Sequence, residues 1–252
     1  MSARFFAFDT ETTGLNAQSD QIISIAMLLL DGSLNEISRK VIYALPSVEV
    51  HPKAAAVNGY NVEDWLNKGA VTQDTLFGEI KDFLSGYRDL LPLGHNVGFD
   101  VDFLKALFAT NKTRMTALSY HKVDTVTAAI FYDMLKFGKL GTHYKLTELT
   151  ARFGIKHDSA HDALNDVIAC VKLFRVLYDS AGGGALLPPP MVHSKLLRKE
   201  GSDWLFRGGK HKDRSVTELA KEKPDYVQWV LANVDDLSTD QREYLNEQIA
   251  KL

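Results

Sequence analysis

Apolar and polar positions alternate with two different periods along residues 1–180. Near the N-terminus, short runs rich in Phe, Ile, Leu and Val predict strands over residues 5–8, 21–30 and 36–45. Further along, apolar residues recur at helical spacing, and these helical patterns alternate with short strand patterns. The predicted helices cover 72–85, 102–109, 126–135, 145–153 and 160–178, and the predicted strands cover 90–94 and 120–124.

This order of elements predicts an α/β fold. Antiparallel strands come first and are followed by alternating helices and strands, which favours a mixed sheet covered by helices. The longest predicted helix, 160–178, has large apolar residues on one stripe. The stripe consists of Leu164, Val167, Val171, Phe174 and Tyr178.

A run of glycines at 182–184 and a run of prolines at 188–190 mark the clearest boundary in the chain. Glycine gives flexibility and consecutive prolines give a stiff, extended spacer. We therefore expect a domain over residues 1–180, a linker over 181–202 and a small C-terminal domain over 203–252. The C-terminal region carries its own aromatic residues, namely Trp204, Phe206, Tyr226 and Trp229.

Composition narrows the class of protein. Of the 252 residues, 45% are hydrophobic and 24% are charged, as in an ordinary globular protein. No apolar run reaches the roughly 18 residues of a membrane span, and the start of the chain lacks a signal-peptide pattern. Cys170 is the single cysteine, so no internal disulfide can form, and a reducing, cytoplasmic location is expected. The net charge of −3 argues against a basic protein that coats nucleic acid.

Asp9 and Glu11 flank Thr10 at the end of the first apolar run. Side chains two apart on a strand share a face, so the two carboxylates repel each other unless a cation joins them. The pair alone is equally compatible with two acids in a solvated loop. The following turn, 12–15, has small side chains that permit close approach by a substrate backbone.

Two further polar segments lie at predicted element boundaries, 94–100 and 161–166. In the first, Asp100 has the position of a helix N-cap, and His95 and Asn96 have the polar groups of structural hydrogen-bonding residues. In the second, Asp166 has apolar neighbours at helical spacing, so its carboxylate needs a partner or a metal. His161 and Asp166 considered singly are equally compatible with surface positions.

Together, segments 8–15, 95–100 and 161–166 resemble the DEDD exonuclease superfamily, in its histidine-bearing DEDDh branch. The resemblance covers residues 3–178 and implies a ribonuclease H-like fold with a five-stranded mixed sheet flanked by helices. It also implies removal of nucleoside 5′-monophosphates from a 3′ end. The resemblance implies that His161 is the general base. It implies four catalytic metal ligands, which are Asp9, Glu11, Asp100 and Asp166.

The chemistry of these residue types agrees with the resemblance. Carboxylate oxygens suit two Mg²⁺ or Mn²⁺ ions, and imidazole accepts a proton near neutral pH. Leu15 and Phe99 match positions that pack on the terminal nucleotide in the family. Thr12 and Asn96 complete the predicted substrate-binding set.

The C-terminal region is similar to a small domain appended to exonuclease X-type proteins. Residues 193–223 contain nine Lys/Arg and five Asp/Glu, so Lys210 and Lys212 are predicted to bind the phosphate backbone. Asp213 departs from the glycine that is usual in this motif. For the aromatic residues, we expect that they form the core of the domain.

Three functions stay open at this stage. The first is a 3′-to-5′ exonuclease acting on DNA, favoured by the exonuclease X-like C-terminal region, and the second is an exoribonuclease with the same chemistry. The third is a binding module without catalysis, which predicts that at least one ligand or the base is missing. All five residues are present, so this alternative ranks last. The expected partner is nucleic acid with a free 3′ end, without a membrane; the sequence does not identify a polymerase or repair partner.

Overall fold

A computed structural model describes residues 3–157, 162–182, 196–207, 209–234 and 237–251. The chain forms two compact units, Met1–Leu186 and Leu187–Leu252, which are described separately below. Within the described residues, we find no helix that is both long enough and apolar enough to cross a membrane.

The first unit is built on a five-stranded sheet. Its strands are β1 Phe5–Thr12, β2 Ile22–Leu30, β3 Glu36–Tyr43, β4 Leu91–Gly94 and β5 Val123–Asp124, in the order β3-β2-β1-β4-β5. Strands β1, β2 and β3 pair antiparallel, whereas β4 runs parallel to β1 and β5 parallel to β4. The predicted mixed α/β sheet is confirmed.

Seven helices accompany this sheet within the described part of the first unit. They are α1 Pro52–Asn58, α2 Val62–Asn67, α3 Gln73–Phe83, α4 Gly98–Thr110, α5 Thr125–Phe137, α6 Leu146–Arg152 and α7 Ala163–Ser180. Helix α4 begins four residues before the predicted 102, which places Asp100 in its first turn. Helices α1 and α2 were not predicted, because each is too short for an apolar period to be recognised.

The core lies on both faces of the sheet. All nine residues of β2 are buried, because helices or loops cover both sides of this strand. Helix α7 packs against β1, β2 and β4. Of the apolar stripe predicted on α7, Val167 is buried and the Phe174 ring packs on Phe5 of β1 with centroids 6.4 Å apart, whereas Leu164, Val171 and Tyr178 are half-buried. The buried residues of α7 are Ala163, Asp166, Val167, Ala169, Cys170, Leu173 and Leu177.

The C-terminal unit contains a hairpin and three α-helices in its described residues. The elements are β6 Leu197–Glu200, β7 Asp203–Phe206, a 3₁₀ turn Gly209–His211, α8 Val216–Glu222, α9 Pro224–Asn233 and α10 Thr239–Ala250. Strand β6 lies in the segment predicted as linker, because β7 supplies the pairing partner that four residues alone do not reveal. Trp204 and Phe206 belong to the core of this unit, whereas Trp229 is 55% exposed. The expectation for the aromatic residues therefore holds for only some of them.

Candidate active site

The end of β1 positions two carboxylates on one face. Asp9 lies opposite Ala26, and Glu11 lies opposite Ser24, in the antiparallel pairing with β2. Both side chains are half-buried, whereas Thr10 between them is buried. Strand β1 pairs with β2 along residues 5–12 but with β4 only along residues 5–7, so the two acids lie just beyond the segment that is paired on both edges.

Asp100 reaches β1 from the first turn of α4. Its Oδ1 accepts a hydrogen bond from Thr10 N at 2.9 Å and another from Thr10 Oγ1 at 2.6 Å. The N-cap of α4 is Val97, so Asp100 is not the cap that its position in the sequence allowed. The carboxylate is buried and joins α4 to the strand that carries Asp9 and Glu11.

Asp166 comes from the first turn of α7. The helix begins after Asp162, whose Oδ1 accepts a hydrogen bond from Asn165 N at 3.0 Å. Asp9, Glu11 and Asp166 each offer a carboxylate oxygen, and these three oxygens lie within 4.8 Å of one another. The geometry therefore fits a divalent cation, with Asp100 beside the trio through Thr10.

The electrostatics of the site follow from burial and from like charge. Burial, followed by the charges of Asp100 and Glu11, raises the pKa of Asp9 well above its usual range. Burial and the charge of Asp166 raise the pKa of Glu11 to about 8. Burial also raises the pKa of Asp100 to about 7, although the hydrogen bonds from Thr10 oppose this shift. Carboxylates in this arrangement gain most from a bound cation, which favours their charged form.

The structure adds a residue that the sequence analysis missed. His157 Nε2 lies 2.5 Å from Asp166 Oδ1, and the histidine side chain is only 5% exposed. Its Nδ1 lies 3.5 Å from Thr150 Oγ1, and Thr150 donates a hydrogen bond to Leu146 O at 2.8 Å. His157 thus connects a predicted metal ligand to α6. It precedes Asp166 by nine positions in a non-helical segment, so no helical period signals the contact.

His161, the predicted general base, lies outside the described residues, as do residues 158–160. The described chain resumes at Asp162, the cap of the helix that carries Asp166. The role of His161 therefore stays a prediction.

A cleft of about 1020 Å³ opens beside the carboxylates and is lined by Glu11, Thr12, Leu15 and Phe99 among others. Leu15 is 87% exposed, and the Phe99 ring packs on Phe103 with centroids 4.8 Å apart. Leu15 and Phe99 also line a second, smaller cavity. Three of the predicted substrate-binding residues are therefore brought to one cleft.

The lining of this cleft also includes His51, Lys53 and Asn58. Asn58 Nδ2 donates to Thr12 O at 3.0 Å and so connects α1 to the end of β1. At Gly14, a Cβ atom would lie 2.5 Å from Asp20 Oδ2, so a larger residue would displace the turn. The turn after β1 is therefore fixed by packing from α1.

The other predicted substrate residues are not among those lining the cleft. Asn96 is exposed and has a φ of 58°, and its carbonyl accepts a hydrogen bond from Phe99 N at 3.0 Å. Asn96 therefore shapes the turn before α4, and its contact with substrate stays a prediction. Lys210 and Lys212 are exposed residues of the C-terminal unit.

The neighbouring His95 has a structural contact. Its Nδ1 lies 2.8 Å from Thr125 Oγ1 at the start of α5. Burial lowers the pKa of His95, which favours the neutral ring.

Comparison with known proteins identifies relatives of the first unit. The exonuclease family model, named after ribonuclease T, matches residues 6–174. A DNA polymerase III subunit epsilon from Treponema pallidum is 32% identical over 174 residues, which cover 69% of this chain and 75% of the relative. A ribonuclease T from Yersinia pestis is 30% identical over 193 residues, which cover 69% of this chain and 86% of the relative.

Solved structures with the same fold include Escherichia coli exonuclease I in complex with a dT13 oligonucleotide. This structure has a TM-score of 0.63 and 22% sequence identity, and the match covers 72% of this chain and 42% of exonuclease I. The fold is therefore the ribonuclease H-like fold that the sequence predicted. This family depends on divalent metal ions, for which the carboxylate cluster supplies suitable ligands. The chain belongs to the exonuclease family and is a 3′-to-5′ exonuclease that acts on nucleic acid.

Proposed function

We propose that this exonuclease degrades DNA from its 3′ end and releases nucleoside 5′-monophosphates. The observation that carries the proposal is the group of carboxylate oxygens of Asp9, Glu11 and Asp166 within 4.8 Å of one another, beside an open cleft. In each cycle, water attacks the terminal phosphodiester and the bond from phosphorus to the 3′ oxygen breaks. The released 3′ oxygen takes up a proton and becomes the new chain end.

The proposed cofactor is a pair of divalent ions, Mg²⁺ or Mn²⁺, held by Asp9, Glu11, Asp100 and Asp166. All donors are hard carboxylate oxygens, and positive charge opposes both causes that raise the pKa of Asp9, namely burial and repulsion by the neighbouring acids. Such ions, when bound, activate water and stabilise negative charge on the leaving oxygen. The protein contributes the fixed positions of the oxygens, through β1, the first turn of α4 and the first turn of α7.

The remaining roles fall to side chains around the cleft. We propose that His161 accepts the proton of the attacking water. The exposed Leu15 side chain and the Phe99 ring hold the terminal nucleotide between them, with Thr12 at the base of the turn. Thr12 Oγ1 donates to Gly14 O at 2.6 Å, which keeps the turn that carries Leu15 in place.

The choice of DNA over RNA rests on the relatives. One is named as a polymerase III subunit, and the exonuclease I structure holds a DNA oligonucleotide. The 30% identity to ribonuclease T supports RNA as the second candidate substrate. Discrimination between RNA and DNA requires contact with the 2′-hydroxyl group of the ribose.

Hydrolysis of labelled oligonucleotides tests the proposal. DNA and RNA strands of one sequence, labelled at the 5′ end, are incubated as single strands and as duplexes with Mg²⁺ or Mn²⁺. We expect ladders that shorten from the 3′ end, faster on DNA, and no cleavage by Asp9→Ala. Asp82→Ala is the matched control, because Asp82 is an exposed acid on α3. Equal or faster cleavage of RNA would refute the assignment of DNA as the preferred substrate. An active Asp9→Ala enzyme would show that the active site has been misplaced.

A further inference from the structure

The C-terminal unit carries a cluster of aromatic rings that reaches its surface. The Tyr226 ring contacts the His211 ring with centroids 4.6 Å apart. The Tyr226 ring also lies nearly parallel to the Trp229 ring, at 18° and with centroids 6.1 Å apart. Trp229 is 55% exposed, so a large flat ring is presented to solvent although the unit has a well-formed core. An exposed tryptophan beside other rings is typical of a contact surface.

Positive charge surrounds these rings. After burial, the charges of Lys223, Lys210 and Arg214 are the next causes that lower the pKa of His211, which places three cations close to its ring. Of the nearby acids, Asp213 pairs with Arg198 at 3.0 Å and Glu222 pairs with Arg214 at 2.8 Å, while Asp225 in the first turn of α9 is exposed. Lys210 and Lys223 are exposed, and the described residues contain no ion pair for either. The surface therefore keeps an excess of positive charge.

The backbone holds the lysines and the rings in fixed relation. The 3₁₀ turn that carries Lys210 and His211 is closed by Arg214 N, which donates to His211 O at 3.1 Å. Asp213 has a φ of 63°, a conformation that favours glycine, and its N donates to Phe206 O at 2.7 Å. Lys223 directly precedes α9, and its carbonyl accepts from Tyr226 N at 3.0 Å. Binding at such a surface requires little ordering of backbone.

We propose that His211, Tyr226 and Trp229, together with Lys210 and Lys223, form a binding surface for single-stranded nucleic acid. We call it the aromatic–basic surface. A base stacks on the exposed Trp229 ring while the lysines contact phosphates. A single strand fits because its bases are free to stack, whereas those of a duplex are already stacked. The inference rests on the proposed function in one respect: the bound strand is the nucleic acid that the first unit shortens.

Binding measured without catalysis tests this surface separately from the active site. The full chain with Asp9→Ala is titrated into a labelled 30-nucleotide DNA single strand in EDTA, and anisotropy is recorded. We expect Trp229→Ala to weaken binding about 5- to 150-fold, and Trp229→Phe to retain most of the affinity. Gln228→Ala, an exposed neighbour on α9, is the matched control. Equal affinity of the Trp229→Ala variant and its parent would overturn the proposal.

The lysines are tested through salt. Lys210→Ala and Lys223→Ala are each expected to lower the slope of log affinity against log salt by about 0.7 for one lost phosphate contact. Lys251→Ala, at the end of α10, should leave the slope unchanged. If polyglutamate displaces the strand and Trp229→Ala has no effect, the surface binds acidic polymers by charge alone and the stacking proposal is wrong.

The two proposals fail in different ways. Binding that depends on Trp229 in EDTA, without any hydrolysis in Mg²⁺, would support the aromatic–basic surface and refute the proposed function. If Trp229→Ala hydrolysed a short oligonucleotide normally and bound the long strand as tightly as its parent, the proposed function would stand and the aromatic–basic surface would be refuted. Thermal unfolding of each variant verifies that the C-terminal unit is intact.

Discussion

Replacing Glu11 with glutamine is expected to stabilise the protein when metal is absent. In the folded state the pKa of Glu11 is about 8, against an ordinary value of 4.5, because of burial and the charge of Asp166. A carboxyl group with a raised pKa in the folded state destabilises the fold at any pH where the unfolded chain is ionised. The penalty is absent below the ordinary pKa of Glu, grows between about pH 4.5 and pH 8, and is constant above.

The size of the effect follows from the shift. The pKa values of 4.5 in the unfolded chain and about 8 in the folded protein correspond to a penalty of at most about 5 kcal/mol above pH 8, at about 1.4 kcal/mol per pKa unit. Solvent reaches the half-buried Glu11, and the neighbouring acids share the repulsion, so we expect about 2–4 kcal/mol at pH 8. For a unit of this size that is a rise in Tm of about 5–15 °C. At pH 5 the gain should fall below about 1 kcal/mol.

The assay is thermal unfolding followed by circular dichroism in EDTA at pH 5, 6.5 and 8, with Glu49→Gln as the control. Glu49 is an exposed glutamate outside the helices and strands, so its variant should show no change with pH. Addition of Mn²⁺ at pH 8 should reverse the order, because the cation binds the ionised wild-type cluster more tightly. A Glu11→Gln variant that is destabilised in EDTA at pH 8, or whose gain does not depend on pH, would refute the electrostatic reasoning.

Four further outcomes are expected. Removal of divalent ions by EDTA should abolish hydrolysis, and restoring Mg²⁺ or Mn²⁺ should recover it; full activity in excess EDTA would exclude metal dependence. His161→Ala should lower the turnover rate about 10²- to 10⁴-fold and change the acid limb of the pH–rate profile, while calorimetry shows unchanged metal binding. His157→Ala should weaken Mn²⁺ binding about 10- to 100-fold, as measured by calorimetry, and His157→Gln should restore part of it by donating to Asp166. A chain that ends at Ser180 should retain hydrolytic activity but bind long strands more weakly and with a flatter salt dependence; equal salt slopes would show that the C-terminal unit does not contribute to binding.

Local pattern in the sequence accounts for the positions of Asp9 and Asp166 in the fold. Four consecutive apolar residues precede Asp9 and indicate a buried strand. Side chains alternate between the two faces of a strand, so Asp9 and Glu11, two residues apart, are expected on the same face. Asp166 was recognisable because Ala163 and Cys170 lie at helical spacing from it, and both are buried. Local pattern was sufficient wherever one element decides the position of the side chain.

The features that the sequence did not reveal depend on distant partners. Helix α2 has only six residues, and it is held by Trp65, whose Nε1 donates to Ile23 O at 2.7 Å. The contact of His157 with Asp166 and the reach of Asp100 to Thr10 also join different elements. The helix or strand propensity of a segment and its hydrophobic period depend only on the residues of that segment. Contacts between distant segments can therefore be identified only in the folded structure.

Hydrogen bonds around the site help to explain how a stable fold keeps like charges together. Thr10 donates two hydrogen bonds to one oxygen of Asp100, and Asp162 caps the helix that carries Asp166. The fully buried strand β2 beside β1 supplies apolar stabilisation that opposes the repulsion. In this arrangement, burial and the nearby like charges raise the pKa values of Asp9 and Glu11. The same arrangement leaves carboxylate oxygens of Asp9, Glu11 and Asp166 within 4.8 Å of one another, so the raised pKa values and the suitability of the site for a cation have one structural cause.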